Sequence, residues 1–353
     1  MMAEPKPKRR HHVNPRFYLR AFQIEGEEGY IWRYDSASGD ILKLSIDNAA
    51  VQRDYYSHVN PDGLRDTEFV ENFIAKIEGI VAPVLQKTLA GEKLTDEERM
   101  SFAFFVALSW VRAPAARRQF AELIAASVKT IGVANAVDPQ QFLASYRRME
   151  EHKKTQEIDR LSDEAIEEAR AFMLGDEYRL DVAEQMTLLP MTHLQEIAET
   201  ILQMTWTLFG APERFDFITC DSPVVRDVHP KYRHPMMGPG LRNKFVVVSL
   251  PLSPKLYWFG TWDEGMPGAA VAQKSQAKSF NRLCAIHAEQ YLYAPTRQHG
   301  YSKLAVTYHG PGAQLAPSGF GFKGEPMEVG QFKLKSKGIA VPQAAQKERK
   351  PQQ

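Results

Sequence analysis

The chain has 353 residues, 44% of them hydrophobic and 25% charged, which is length enough for a sizeable core and, at roughly 100–200 residues per domain, for two lobes. No run approaches the ~18–20 uninterrupted apolar residues of a membrane-spanning helix, and the basic N-terminus lacks the apolar segment of a secretory signal, so no membrane partner and a cytoplasmic location are expected. The net charge of +1 hides an asymmetry, because residues 1–20 and 333–353 each carry +5 and the remainder −9, so the ends rather than the body would meet an anionic partner.

Residues 1–10 and 333–353 are rich in Lys, Pro, Gln and Ala without periodicity and read as basic flexible tails. Between them the composition predicts an N-terminal arm and hairpin (11–60), a helical region (61–203) and a strand-rich region with a closing helix (204–332). In "KPKRRHHVNPRFYLRAF", Asn14 before Pro15 predicts an N-cap and first helical residue, with a short helix through "PRFYLRAF". His11 and His12 then lie just outside a helix N-terminus. Alternation along an extended approach sends them to opposite faces, so they serve different centres. The helix end favours an anion and a neutral histidine, and Arg16 and Arg20, four apart, share a face that could add charge to the same site. A structural arm with both histidines bonded to backbone fits the segment equally well.

"YIWRYDSASGDILKLS" predicts a hairpin over 30–45. In "DTEFVENFIAKIEGIVAPVLQKTL" the apolar spacing predicts a helix, and Glu78 falls on its stripe, four after Ile74 and three before Val81, with Glu71 two turns away on the same side. The next helix opens with the capping box of Thr95 and Glu98 and ends before Pro114. Arg112, four after Leu108 and seven after Phe105, shares its apolar side. An unpaired buried charge costs several kcal/mol, so a Glu78–Arg112 pair is expected. Further helices are predicted over about 117–131, 139–152, 162–173, 179–188 and 191–203. The period then changes: "TWTLFG", "FDFIT", "KFVVVSL" and "KLYWFGTW" read as strands of one sheet, and "QKSQAKSFNRLCAIHAEQYLYA" as a closing helix. The fold class is therefore α+β, a helical middle region packed with a mainly antiparallel sheet formed largely by the C-terminal half. Cys220 and Cys284 lack any CxxC or Cys/His ligand spacing and are expected to be reduced core residues.

Asp221 follows a predicted strand and precedes Pro223 by two, where a carboxylate can project from a sheet edge or close an Asx turn. Asn281 is a polar group on a helix otherwise rich in Ala, Phe and Leu. Taken in order, "HHVNPRFYLRAF", "YY" at 55–56, "AKIEGIVAPVL", "ERMSFAFFVALSWVRAPAAR", "FITCDSPV", "LPLSP" and the helix with Asn281 resemble the domain-of-unknown-function 4238 family, a largely bacterial group, over about residues 11–295. The family's strand-end motif usually reads Ser-Asp-Asn-Pro, whereas here Cys220 and Ser222 flank Asp221. The resemblance implies a site outline in which His11, His12, Arg20, Glu78, Arg112, Asp221 and Asn281 converge, and it implies no reaction.

The first functional expectation is a nuclease-like hydrolase acting on a phosphodiester or other anionic substrate. In it His11 or His12 is a base or metal ligand, Glu78 and Asp221 are the carboxylates, and Arg20, Arg112 and Asn281 hold the anion; a divalent metal stays open as cofactor, although no HxxxH, DxD or Gly-rich phosphate loop calls for one. The second expectation is a non-catalytic protein that binds nucleic acid or a small anionic ligand through its basic ends and the His-Arg arm. The third is a purely structural motif. In every case the arm, too apolar to stay in water and too short to stand alone, should dock against the helices carrying Glu78 and Arg112 and lie near Asp221.

Overall fold

The computed structural model describes residues 9–59, 65–152, 161–175, 178–228 and 240–309, and the backbone of 320–322 and 325–327. The predicted tails lie outside these residues except for Arg9 and Arg10, which are ordered: Arg9 pairs with Asp54 at 2.6 Å and Arg10 opens the first strand. The chain starts with β1 (Arg10–His12), α1 (Arg16–Arg20), β2 (Tyr30–Asp35), β3 (Ile41–Ser45), α2 (Ile46–Ala49), β4 (Val51–Arg53), β5 (His58–Val59) and β6 (Arg65–Asp66). The middle holds α3 (Phe69–Leu89), α4 (Asp96–Val111), α5 (Pro114–Ala136), α6 (Pro139–His152), α7 (Asp163–Leu174), a 3-10 helix (Glu184–His193) and α8 (Leu194–Leu202). Then come β7 (Thr205–Gly210), β8 (Thr219–Cys220), β9 (Val225–Val228), β10 (Val246–Ser253), β11 (Leu256–Thr261), β12 (Ala269–Val271), α9 (Lys274–His287), β13 (Tyr291–Ala294) and α10 (His299–Tyr308). The α+β class and the mainly antiparallel pairing are as expected, with helices in the middle and most strands after them; the β12–β7 pair is parallel.

Three details of the strand region differ from expectation. The strands form two main sheets, one of order β12-β7-β11-β10-β9 and one of order β3-β2-β13-β8, because the N-terminal hairpin recruits β13, Tyr291 lying opposite Asp35. "FDFIT" contributes only Thr219 to a strand, and it joins the second sheet. "YLYA", expected at the end of the closing helix, is strand β13, since α9 stops at His287 and the aromatic and β-compatible residues beyond it complete the sheet. In the middle region the predicted helix over 179–188 forms only in part: residues 179–183 are irregular, and a 3-10 helix, Glu184–His193, follows with Pro190 inside it. The Thr95–Glu98 capping box is formed, with Glu98 N–H donating to Thr95 Oγ1 at 3.2 Å, and Ala113 is extended before Pro114. Both cysteines are free and buried.

One large core joins Tyr18, Leu19 and Phe22 of the arm to Ile31 of the hairpin, Phe102, Phe105 and Leu108 of α4, Leu85 of α3, Ile201 of α8, and Leu250 and Trp258 of the five-stranded sheet. The arm docks as its composition requires. Phe17 and Tyr18 pack on Phe105, ring centroids 5.7 and 5.8 Å apart, and the buried Tyr18 hydroxyl meets Thr219 Oγ1 at 2.6 Å and the Pro251 carbonyl at 2.7 Å. Pro15, and not Asn14, takes the N-cap position of α1. Asn14 is buried, and its amide donates to the Cys220 carbonyl at 2.7 Å. Its side chain is spent on a strand rather than on the helix end.

Candidate functional site

His11 and His12 leave β1 on opposite faces, as strand alternation demands. His11 is fully buried: its Nδ1 accepts the Tyr56 backbone N–H at 2.8 Å, and its ring stacks on the Tyr56 ring at 5.4 Å. His12 is half-buried, and its Nε2 accepts the Arg16 Nε–H at 3.1 Å while Arg16 reaches Asp47 at 3.1 Å. Burial and then the Arg16 charge lower the His12 pKa to about 4, so the ring is neutral at pH 7. With Nε2 accepting, the ring proton sits on Nδ1, which is buried without a hydrogen-bond partner.

Tyr55 and Tyr56 carry this arm to the helices. The Tyr55 hydroxyl donates to the Arg112 carbonyl at 2.7 Å, and the Tyr56 hydroxyl to the His12 carbonyl at 3.3 Å. Arg117 lies over the Tyr55 ring at 4.3 Å, donates to the Tyr55 carbonyl, and fixes Thr187 Oγ1 at 2.8 Å. Helix α4 delivers Arg112 as its C-terminal capping residue, 1% exposed, and α3 delivers Glu78, 26% exposed at its side chain. They pair at 2.7 Å through Arg112 Nη1 and Glu78 Oε1. Burial works against the Arg112 charge, but Tyr56, Glu78 and Glu71 outweigh it and the pKa is raised. The Nη2 of Arg112 is buried without a partner.

Asp221 and Asn281 belong to the scaffold. Asp221 Oδ1 accepts the Glu289 N–H at 2.8 Å, and Oδ2 accepts those of Gln290 and Tyr291 at 2.7 and 3.1 Å, so the carboxylate locks the α9–β13 turn onto the end of β8. Burial pushes its pKa up to about 7 against these three donors. Ser222, where the resemblance would place an amide, accepts the Ala115 N–H of α5 at 3.2 Å. Asn281 accepts the Ile218 N–H at 3.1 Å and donates to the Asp216 carbonyl at 2.9 Å. Arg20 is exposed at the end of α1, beside Gln23, Glu25 and Glu28.

Four of the seven candidates, His11, His12, Glu78 and Arg112, therefore gather around Tyr55 and Tyr56. Asp221 lies next to this group through Asn14 and Ser222, with its oxygens engaged by the turn. In the sequence the Tyr pair stands out only as part of a motif, and Arg117, buried in the structure, carries no spacing that singles it out. A matching family profile spans residues 10–298, from the strand that bears the histidines to the residue before α10. The chain belongs to the DUF4238 family. The description of DUF4238 is a protein of unknown function, so membership brings no reaction with it. No curated protein and no solved structure matches the chain. Among the described residues no group of three or more His, Cys, Asp or Glu side chains is placed to hold a metal ion, and no single helix is long and apolar enough to cross a membrane.

Proposed function

We propose that this DUF4238 protein binds a small anionic ligand, a phosphate ester or a carboxylate, at the cluster of His12, Glu78 and Arg112. The observation that carries this reading is the pair of buried donors, Arg112 Nη2 and His12 Nδ1, that have no hydrogen-bond partner. A buried donor left unsatisfied costs about 1–3 kcal/mol, and more when charged, and native proteins rarely keep one without a use. Oxygens of one anion could accept from both. Hydrolysis of a bound phosphodiester is the catalytic version of the same reading. In it Arg112 holds the anion and Glu78, a quarter exposed and with Oε2 outside the ion pair, takes the proton from water. His12 then serves as a donor and not as the base, because its Nε2 is committed to Arg16.

Calorimetry and thermal shift with inorganic phosphate, and turnover assays on RNA, DNA and nucleotide pools with and without divalent metal, test both versions. Binding is expected in the wild type and weakened in His12→Ala; turnover, if it occurs through this site, is lost in Glu78→Gln. No binding to any of these probes would sink the reading. The structural alternative is favoured by one specific observation, the hydrogen bonds that tie His11, Asp221 and Asn281 to backbone groups. It predicts that substitutions in the cluster lower stability and change nothing else.

A further inference from the structure

Helix α5 is apolar on the side turned away from its neighbours. Its first turn is fastened to the 3-10 helix by Arg117, which donates to Thr187, but from Arg118 to Asn135 no residue is fully buried. The charges of this stretch lie on the other side. Arg118 pairs with Glu289 of the α9–β13 turn at 2.8 Å and with Glu122 at 2.8 Å, and Lys129 lies over the Tyr178 ring at 5.0 Å. On that same side Gly132 comes so close to α7 that an added Cβ would meet Met173 Cε at 2.6 Å, and Ala136 joins Phe142 and Ile166 in a small core. A surface helix ordinarily turns its apolar stripe inward and its charges to water. Helix α5 does the reverse, and Leu123, Val128 and Ile131 are left 47%, 51% and 68% exposed.

The spacing of this outer face points to its partner. Phe120, Ile124, Ser127, Ile131 and Ala134 recur at intervals of four, three, four and three residues, which is the seam by which one helix packs along another. The positions that flank such a seam, here Ala121, Leu123, Val128, Thr130 and Asn135, hold no charge. Charges there would select a different chain, and without them nothing repels an identical helix. The seam is also its own complement when run antiparallel. With Ser127 at the centre, Phe120 falls opposite Ala134 and Ile124 opposite Ile131, so the phenyl ring meets the smallest side chain of the seam and Ser127 lets the helices approach where they cross. Area supports the same partner: at roughly 180 Å² for a fully exposed aliphatic residue, Leu123, Val128 and Ile131 leave about 300 Å², and the whole face about 500 Å² per copy, so a pair buries about 1,000 Å², the lower bound for a specific interface. A lipid surface fits less well, because a helix lying on one sets Lys and Arg beside its apolar face, whereas Arg118 and Lys129 are turned away from it.

We propose that the outer face of α5 docks on the same face of a second copy of this chain, the two helices antiparallel about Ser127 in a twofold dimer. Sedimentation equilibrium on the full chain is the first test, and an interface of this size should give a monomer–dimer equilibrium with a dissociation constant of about 10 μM. Ile131→Lys sets a charge in the middle of the seam at an exposed position, and it should leave the chain monomeric with an unchanged circular dichroism spectrum. Cross-linking keeps the proposal open to refutation without that variant. The two native cysteines are free and buried, so Ser127→Cys should form a disulfide-linked dimer in air. Ala134→Cys, carried about 21 Å from its copy in the antiparallel pair, should stay unlinked. A chain that remains monomeric up to about 100 μM, a dimer that survives Ile131→Lys, or a Ser127→Cys chain that links no better than Ala134→Cys would overturn the proposal. A monomer that co-sediments with phosphatidylcholine vesicles would overturn it too, since the face would then belong to lipid.

Discussion

Arg112 is 1% exposed and Glu78 26%, so the two ends of one ion pair sit in different surroundings, and removing either has a different cost. Glu78→Ala leaves a guanidinium in the interior with Glu71 as its remaining carboxylate neighbour, and a loss of about 2–3 kcal/mol is expected, below the full cost of breaking a buried pair because Glu78 is partly wet. Arg112→Met removes the buried charge together with its need, so the double variant should be less destabilised than the sum of the singles when both are measured by urea denaturation. This pair was legible because each charge interrupts an apolar stripe. His12 makes the second prediction at this scale. Its folded pKa of about 4 lies below the unfolded value of 6.5, so in the window from about 6.5 down to 4 the unfolded chain takes up a proton that the native site refuses, and acid removes stability. Asp221 works in the opposite direction: with a native pKa of about 7 it keeps a proton that the unfolded chain gives up above about 4, so its contribution falls as pH rises. Comparing the wild type with His12→Gln cancels the Asp221 part. Between pH 7 and pH 4 the wild type should lose about 1–3 kcal/mol more than the variant, a figure reduced from the full shift because the ring is only half-buried. Equal losses would show that His12 is not held neutral.

At the scale of elements, the two-residue strand β8 does more than its length suggests. It pairs with β13, its Cys220 carbonyl receives Asn14 of the arm, and the next residue, Asp221, binds three successive amides beyond α9. None of this has a sequence period. The hairpin, the capping box and Pro114 were legible since each depends on residues a few positions apart, whereas the lock made by Asp221 joins groups about 70 residues apart and depends on how α9 ends. The same reason explains why one sheet was expected and two are found: a strand of two residues shows no alternation, so the sequence could not assign it to the hairpin's sheet. Asp221→Asn tests the lock. Both carboxylate oxygens accept, so an amide must turn an N–H toward an N–H, and the variant should lose about 1–3 kcal/mol. If Asp221 were instead a catalytic carboxylate with a merely loose hold on the turn, Asp221→Asn would melt with the wild type.

Across the whole molecule, the arm packs on both the helical middle and the strand-rich half, and the two are expected to unfold as one cooperative unit. A boundary near residue 204 is marked in the sequence by the change of period, yet the core crosses it, with Phe102 of α4 packed on Trp206 of β7 at 5.3 Å and on Trp258 of β11 at 5.7 Å. The arm lies on both sides. Phe17 and Tyr18 touch Phe105 of α4, while the Tyr18 hydroxyl is held by Thr219 of the four-stranded sheet and the Pro251 carbonyl of the five-stranded one. Tyr18→Phe keeps the ring and its packing but leaves the Pro251 carbonyl without that donor in a site 1% exposed. The expected cost is about 1–3 kcal/mol, read as a fall of a few degrees in melting temperature for a chain of this size. Because the hydroxyl joins two sheets through an element that also packs on α4, the loss should be shared: far-UV circular dichroism, which follows the helices, and tryptophan fluorescence, which follows Trp258 and Trp206 in the core, should shift together and stay coincident. Two separated transitions in Tyr18→Phe would mean that the halves fold independently, and that the arm fastens one to the other without making them a single cooperative unit.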